Sequence, residues 1–299
     1  MNTSDITKLA TERRNPRSRD IDRLTTAEMV SLINSEDKKV ADAVEKVRPQ
    51  IAAAIDLIYA RMKRGGRLIY CGCGTSGRLG ILDASECPPT YSVSPETVQA
   101  VIAGGKGAVF NAVEGAEDSA ELGKEDMLKL ALTENDTLVG IAASGRTPYV
   151  LGAMKAARDA GAGVIGLTCC PGSEIERAAD VGISPDPGPE VITGSTRMKC
   201  GTAQKMVLNM LSTCTMVKLG KVYGNLMVDV KPSNEKLVHR CISIVREATG
   251  ADEKTAVAAL EACGYKCKTA IVRLLCSVSA DEAEARLGRS DGRVADAIH

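Results

Sequence analysis

Two short segments of the sequence combine glycine with serine or threonine, a composition that suits the binding of an anion. The first loop (residues 72–77) reads G-C-G-T-S-G and the second loop (residues 143–148) reads A-S-G-R-T-P, and each follows a short apolar run. Glycine lets the backbone approach a ligand closely, while hydroxyls and the free amides of a helix start donate hydrogen bonds to it. Either loop alone could be an ordinary turn between a strand and a helix. Because the two loops echo each other, we favour a site for one phosphate ester.

The first loop also matches G-x-G-x-x-G, the pattern that binds dinucleotides when it directly follows a strand. That pattern requires an acidic residue at the end of the second strand, where it holds the ribose. Here Gly104 and Gly105 stand at that place and are followed by Lys106. We therefore predict a sugar phosphate rather than a dinucleotide.

A third polar cluster, residues 193–199, reads T-G-S-T-R-M-K and precedes a long apolar run that starts at Gly201. Hydroxyls and two cations before a helix start suit an anionic or polyhydroxyl ligand. The alternative is that Ser195 or Thr202 only caps the helix.

Carboxylates accompany these segments. Glu86 lies in D-A-S-E-C-P-P, residues 83–89, a short stretch after the first loop that we expect the double proline to end. Glu114, Glu117 and Asp118 stand together before a predicted helix, where acids are favourable for the helix dipole whether or not they have a function. Their spacing does not choose among them. Carboxylates beside a phosphate site predict general acid–base chemistry.

The elements that must position these residues alternate between strand and helix. Five short apolar strands are predicted at residues 68–71, 98–103, 138–143, 164–168 and 181–184. Continuous apolar strands between helices predict an α/β fold, a doubly wound, five-stranded parallel sheet that is covered on both faces. Loops that follow neighbouring strands of such a sheet meet at its carboxyl edge.

Helical segments flank the predicted sheet. Thr25 and Glu28 have the spacing of a capping box, and Pro49 should kink or break the helical run that follows to residue 63. Residues 233–299 predict three or more short helices, punctuated by Gly250, Gly264 and Gly288. We therefore divide the chain into an N-terminal helical segment (1–50), an α/β domain (51–228) and a C-terminal helical bundle (229–299).

Composition excludes several classes of protein. Charge is balanced, with 38 basic and 38 acidic residues, which argues against nucleic acid or membrane surfaces as partners. The polar N-terminus lacks a signal peptide, so we expect a cytoplasmic protein. The 11 cysteines have no C-x-x-C spacing and there are 2 histidines, so we expect reduced, mostly buried thiols and no metal.

Five longer strings resemble the N-acetylmuramic acid 6-phosphate etherases: ILDASECPPTYSV, AVEGAEDSAE, GIAASGRTPYV, TGSTRMKCGTAQK and GNLMVDVKPSNEKL. The likeness extends from about Thr11 to the C-terminal helices. It implies that the α/β part is a sugar isomerase (SIS) domain, and the end of the chain around Gly264 is similar to a ubiquitin-associated three-helix bundle. Cys73 and Cys200 stand where such enzymes often have alanine.

The resemblance also implies an activity, cleavage of the D-lactyl ether of N-acetylmuramic acid 6-phosphate by elimination of lactate and readdition of water. This carbon–oxygen lyase reaction of cell-wall amino sugar recycling needs no cofactor. Glu86 would be the catalytic acid and Glu117 the second catalytic carboxylate. The resemblance assigns the phosphate to Thr75, Ser76, Ser144 and Thr147, to which we add Gly77, Gly145 and Ser195 as candidate ligands.

Other functions are known for the same fold. An aldose–ketose isomerase would need a carboxylate base but no acid at carbon 3. A regulator similar to the glucokinase inhibitor would carry two SIS domains, whereas this chain has room for one, and no basic recognition helix favours a DNA-binding regulator. We expect a homodimer, because SIS domains commonly pair and the apolar helix from Met206 to Leu219 would suit an interface.

Overall fold

The fold is built on one parallel sheet, as predicted. The structure is a computed structural model that describes residues 10–111, 113–230, 232 and 234–299. The sheet order is β2-β1-β3-β4-β5. Its strands are β1 (Leu68–Gly72), β2 (Val98–Ile102), β3 (Thr137–Ile141), β4 (Gly163–Leu167) and β5 (Val181–Ile183).

The pairing of β1 with β3 positions the two glycine loops. Leu68 stands opposite Thr137 and Gly72 stands opposite Ile141 in a parallel register. The two loops therefore leave the same edge of the sheet side by side. Every residue of β1, β3 and β4 is buried, which explains why these strands are predominantly apolar.

Helices precede, connect and follow the strands along the chain. They are α1 (Thr26–Asp37), α2 (Lys39–Glu45), α3 (Arg48–Met62), α4 (Gly74–Tyr91), α5 (Ala120–Lys129), α6 (Pro148–Asp159), α7 (Glu174–Ala178), α8 (Lys199–Lys218), α9 (Glu235–Thr249), α10 (Glu253–Ala262), α11 (Cys267–Cys276), α12 (Ala280–Arg289) and α13 (Val294–Ala297). The capping box of Thr25 and Glu28 is present at the start of α1, and Pro49 lies in the first turn of a new helix, α3, as expected of a break. No described helix has the length and apolar character needed to cross a membrane.

Two expectations about helix ends were wrong. The double proline, Pro88 and Pro89, does not end the segment that carries Glu86, because α4 continues through both to Tyr91. Proline has a backbone angle that a helix accepts, so its cost is a lost hydrogen bond and local crowding, which this helix tolerates. Gly288 lies inside α12 and does not end it.

The chain divides into two compact units. The first comprises the described residues up to Ser85 together with Glu96–Ser212, and it contains the whole sheet. Its core includes the buried face of α6, on which Tyr149, Val150 and Met154 recur at helical spacing.

The second unit comprises Glu86–Pro95 and the described residues from Thr213 to the C-terminus. Its helices α9 to α13 enclose a core that includes Val245, Leu260 and Ile271. Beside them lies a two-stranded antiparallel hairpin, β6 (Val222–Tyr223) and β7 (Leu226–Met227), that the sequence analysis did not predict.

Candidate active site

A cavity of about 260 Å³ lies in the first unit, where the first and second loops leave the carboxyl ends of β1 and β3. The residues that line it come from these loops, from the chain before Asn15, from the turn before α5 and from residues 193–199. They are Glu12, Cys73, Gly74, Thr75, Ser76, Glu117, Ile141, Ala142, Ala143, Ser144, Thr147, Gly194 and Thr196.

The first loop presents the start of a long helix to this cavity. Gly74 has a φ of 49° and α4 begins there, so Thr75 and Ser76 lie in its first turn. Amides in the first turn of a helix have no partner within the helix, and the helix dipole places partial positive charge there. This arrangement suits the oxygens of a phosphate.

Ser76 is buried and its hydroxyl contacts a side chain of α8. The Oγ of Ser76 lies 2.9 Å from Oε1 of Gln204, while the Nε2 of that amide is buried without a partner among the described residues. The two ends of an amide exchange by a simple flip. In the flipped orientation Nε2 donates to Oγ, and the Ser76 proton is then available to a ligand in the cavity.

The second loop supplies hydroxyls that are not engaged elsewhere. Within the described part of the chain, the side chains of Ser144 and Thr147 make no hydrogen bond, and Thr147 stands at the N-cap of α6 without capping it. The same holds for Thr75 and Thr196. These four hydroxyls line the cavity and can donate to an anion.

The predicted glycines serve the backbone rather than the cavity wall. A methyl group on Gly77 would lie 2.6 Å from Cγ1 of Ile102, so this glycine lets α4 lie close to the sheet. Gly145 has a φ of 68°, and a methyl group there would overlap Ser173. Ser195 stands between Gly194 and Thr196, which line the cavity, and is not itself a lining residue.

Glu117 is the predicted carboxylate that lines the cavity. Gly115, in the left-handed conformation, starts a short 3-10 turn from Ala116 to Asp118 that carries it. An adjoining cavity of about 210 Å³ shares Cys73, Gly74 and Glu117 with the first and is lined in addition by Glu114. Glu117 therefore lies at both cavities, whereas Glu114 lies only at the second.

Glu86 is placed differently. It belongs to the second compact unit, its side chain is exposed, and it is not among the described residues that line the cavity.

Charges of one sign line the cavity. Its described lining residues include Glu12 and Glu117 but no Lys or Arg. Burial, together with the nearby charges of Glu117 and Asp118, raises the pKa of Cys73 to about 12, so its thiol is protonated at neutral pH. Any anion is therefore held by hydroxyls, backbone amides and the α4 dipole.

The candidate cations lie elsewhere. Lys199 is 1% exposed, and its Nζ donates to Oε2 of Glu36 at 2.9 Å and to the carbonyl of Pro187. Burial alone would raise the pKa of Glu36, but hydrogen bonds from Lys39, Lys199 and Asn15 lower it to about 2. Neither Arg146 nor Arg197 lines the cavity.

Among the lining residues with side-chain oxygens, Glu12 and Thr196 were missed by the sequence analysis. Thr196 belongs to the polar cluster that was identified, but Ser195 was chosen in its place. Glu12 lies in the polar N-terminal stretch, far in sequence from any loop. Its neighbours Thr11 and Asn15 are buried polar residues, which polarity alone does not reveal.

Comparison with sequence models of known families defines the class of protein. The SIS domain model matches residues 112–213, and the model of the glucokinase regulatory protein N-terminal SIS domain matches residues 50–158. The structure of phosphoheptose isomerase from Neisseria gonorrhoeae superposes with a TM-score of 0.50 at 21% identity, covering 64% of this chain and 98% of that chain. The fold is that of an SIS-domain protein.

Full-length relatives narrow the assignment. The N-acetylmuramic acid 6-phosphate etherase of Clostridium beijerinckii is 55% identical over 298 residues, covering 100% of this chain and 98% of the relative. That of Aeromonas hydrophila is 55% identical over 297 residues, covering 99% of this chain and 100% of the relative. The chain belongs to the N-acetylmuramic acid 6-phosphate etherase family, which confirms the resemblance found in its sequence.

Proposed function

We propose that this protein cleaves the D-lactyl ether of N-acetylmuramic acid 6-phosphate to give N-acetylglucosamine 6-phosphate and D-lactate. It is a carbon–oxygen lyase of amino sugar catabolism. The observation that carries this function is the cavity lined both by hydroxyls of the two glycine loops and by Glu117, in a chain that aligns with etherases over its whole length.

The phosphate group fixes the substrate. We place it against Thr75, Ser76, Ser144 and Thr147, where α4 begins. Hydrogen bonds to a charged oxygen contribute about 1.5–3 kcal/mol each. A sugar without the phosphate lacks these charged oxygens, so we expect it to bind weakly at the same place.

The reaction divides into elimination and addition. In the opened sugar the aldehyde acidifies the hydrogen on carbon 2, and Glu117 removes that proton. The bond between carbon 3 and the lactyl oxygen breaks, Glu86 protonates the departing oxygen, and D-lactate leaves an unsaturated aldehyde. Water then adds at carbon 3 while a proton returns to carbon 2.

Different observations support the catalytic roles of Glu117 and Glu86. Glu117 lines the cavity with the hydroxyls, which favours it over Glu114 as the base. Glu86 is given the acid's role by the family resemblance, and its side chain is exposed. The base's role for Glu117 and the ligand roles of the loop residues are likewise proposals.

We also propose a cytoplasmic homodimer. All 11 cysteines are free thiols, as in a reducing compartment. Two methionines of α8, Met206 and Met210, are partly exposed and could take part in an interface.

The division into segments 1–50, 51–228 and 229–299 stays a prediction.

The function is tested by offering the purified protein N-acetylmuramic acid 6-phosphate and its unphosphorylated form, and by measuring D-lactate. We expect rapid release from the first and little from the second. Equal rates on both sugars would show that the phosphate group does not contribute to substrate recognition. A product of unchanged mass would favour an isomerase, and tight binding without turnover would favour a regulator.

A further inference from the structure

Glu12 is the second carboxylate of the cavity. It and Glu117 are the acidic side chains among the described residues that line it. Its carboxylate also lies close to the backbone of the third polar cluster, because a methyl group built on Gly194 would stand 3.3 Å from Oε2 of Glu12. The reaction as derived above gives Glu12 no part.

Buried polar contacts fix the segment that carries Glu12. The Nδ2 of Asn15 donates to Oε2 of Glu36 at 3.0 Å and to the carbonyl of Pro189 at 3.2 Å. Ser18 donates through Oγ to the carbonyl of Val191 at 2.6 Å. A buried network costs free energy unless its groups are satisfied, so these contacts define one position for the segment.

The opposite side of the network holds the third polar cluster. Lys199 reaches the same carboxylate, that of Glu36, and the backbone amides of Lys199 and Cys200 donate to Glu190 at 3.0 and 2.9 Å. Glu36 therefore joins the segment of Glu12 to the segment of Gly194. These contacts hold the backbone beside Glu12 next to the cavity that its side chain lines.

Electrostatics decides which part of a sugar phosphate Glu12 can meet. A carboxylate repels the phosphate, which the hydroxyls of the two loops and the start of α4 attract. An opened amino sugar also carries hydroxyl and amide N–H donors, and burying a donor without an acceptor costs about 1–3 kcal/mol. Glu117 is engaged with the hydrogen on carbon 2, which leaves Glu12 as the charged acceptor for those donors.

We infer that Glu12 contacts the substrate and accepts hydrogen bonds from hydroxyl or amide groups of the opened sugar, at the end away from the phosphate. This role rests on the proposed function and deepens it. Glu12 is then a specificity-determining residue, and the third polar cluster acts partly by holding its carboxylate in place.

The test compares Glu12→Gln and Glu12→Ala with the matched control Glu45→Gln, which removes a carboxylate from the exposed side of α2. Lactate release from N-acetylmuramic acid 6-phosphate is measured, and inorganic phosphate is used as a competitive inhibitor. We expect kcat/KM to fall about tenfold to hundredfold in both Glu12 variants and to stay unchanged in the control. The inhibition constant of phosphate should stay unchanged or decrease, because a nearby negative charge is removed.

Three results would overturn the inference. An unchanged KM and kcat in both Glu12 variants would show that the carboxylate does not meet the sugar. Parallel loss of sugar and phosphate binding would reduce Glu12 to a structural residue. A Glu12 variant that keeps exchange of the carbon 2 hydrogen and an unchanged KM but loses lactate release would show that Glu12 is the acid. Failure of the proposed function gives a different result, since the wild-type protein would then release no lactate.

Discussion

The first and second loops differ in where their helices begin. In the first loop α4 starts at Gly74, so Thr75 and Ser76 are helical, and Ser76 is buried against Gln204. In the second loop α6 starts only at Pro148, so Ser144 precedes the helix.

This difference gives the two loops different parts in the proposed phosphate site. The first loop offers a helix dipole and a hydroxyl whose orientation a neighbouring amide sets. The second loop offers hydroxyls without hydrogen-bond partners among the described residues, on a backbone in which Gly145 has a positive φ. We therefore expect a substitution in the first loop to change both protein stability and ligand binding. A substitution in the second loop should change ligand binding alone, unless it disturbs the backbone conformation around Gly145.

The largest effect should come from Gly145→Ala, with Gly74→Ala as the matched variant in the first loop. Both glycines have positive φ, which costs about 1–2 kcal/mol for alanine. At Gly145 the methyl group also overlaps Ser173, whereas nothing lies within 4 Å at Gly74. Overpacking adds about 1–3 kcal/mol, so we expect Gly145→Ala to lower the free energy of unfolding by about 2–5 kcal/mol. Urea denaturation measures both.

Equal destabilisation by the two alanine variants would contradict this contrast. It would mean that Ser173 moves aside at little cost and that the second loop is as adaptable as the first.

Substitution of one serine in each loop compares the two loops by their effects on substrate binding and on stability. Ser144→Ala should raise KM about tenfold to hundredfold and leave stability unchanged, because its hydroxyl has no partner among the described residues. Ser76→Ala should raise KM similarly and also lower the free energy of unfolding by about 1–3 kcal/mol, because the buried amide of Gln204 loses its partner. Steady-state kinetics and denaturation on the same preparations measure KM and the free energy of unfolding. Equal losses of stability in the two serine variants would contradict the difference between the loops.

Gln204→Met tests the orientation of the Ser76 hydroxyl with a smaller effect. Methionine keeps much of the volume. It removes the amide that hydrogen-bonds to Ser76 and also the end of that amide that has no partner among the described residues, two effects of opposite sign on stability. We expect stability to hold and KM to rise by severalfold, since the Ser76 hydroxyl is no longer oriented. An unchanged KM would show that Gln204 has no influence on the ligand.

The smallest effect concerns Cys73 of the first loop. Burial and the charges of Glu117 and Asp118 raise the pKa of its thiol to about 12, so it is protonated throughout the pH range 7–9 and becomes a thiolate only near pH 12. We expect slow alkylation by iodoacetamide in that range, while exposed Cys214 reacts first. Peptide mass spectrometry follows both residues, and rapid labelling of Cys73 at pH 7 would contradict this environment.

Much of the fold was predictable because its signals are local. Buried strands such as β3 and β4 are predominantly apolar, and the capping box of α1 lies within four residues. The passage of α4 through Pro88 was not predictable from the general behaviour of proline.

Prediction of the site depended on how far apart its parts lie in the sequence. Both glycine loops follow strands, so sheet topology brought Ser76 and Ser144 to one edge. Glu12 reaches the same cavity because its neighbour Asn15 contacts Glu36 and because its own carboxylate lies near Gly194. These contacts are tertiary and leave no periodic signal. The choice between Glu114 and Glu117 likewise needed the turn at Gly115.

The central claim is that Glu117 removes the hydrogen on carbon 2 while a separate acid, Glu86, releases lactate. Exchange of that hydrogen with solvent deuterium, measured beside lactate release, tests it most directly because exchange does not require the leaving group to depart. Glu117→Gln should lose both activities, Glu86→Gln should lose lactate release but keep exchange, and the neighbouring control Glu114→Gln should keep both. Exchange that is abolished in Glu86→Gln and intact in Glu117→Gln, or a Glu114→Gln variant as inactive as Glu117→Gln, would contradict the account.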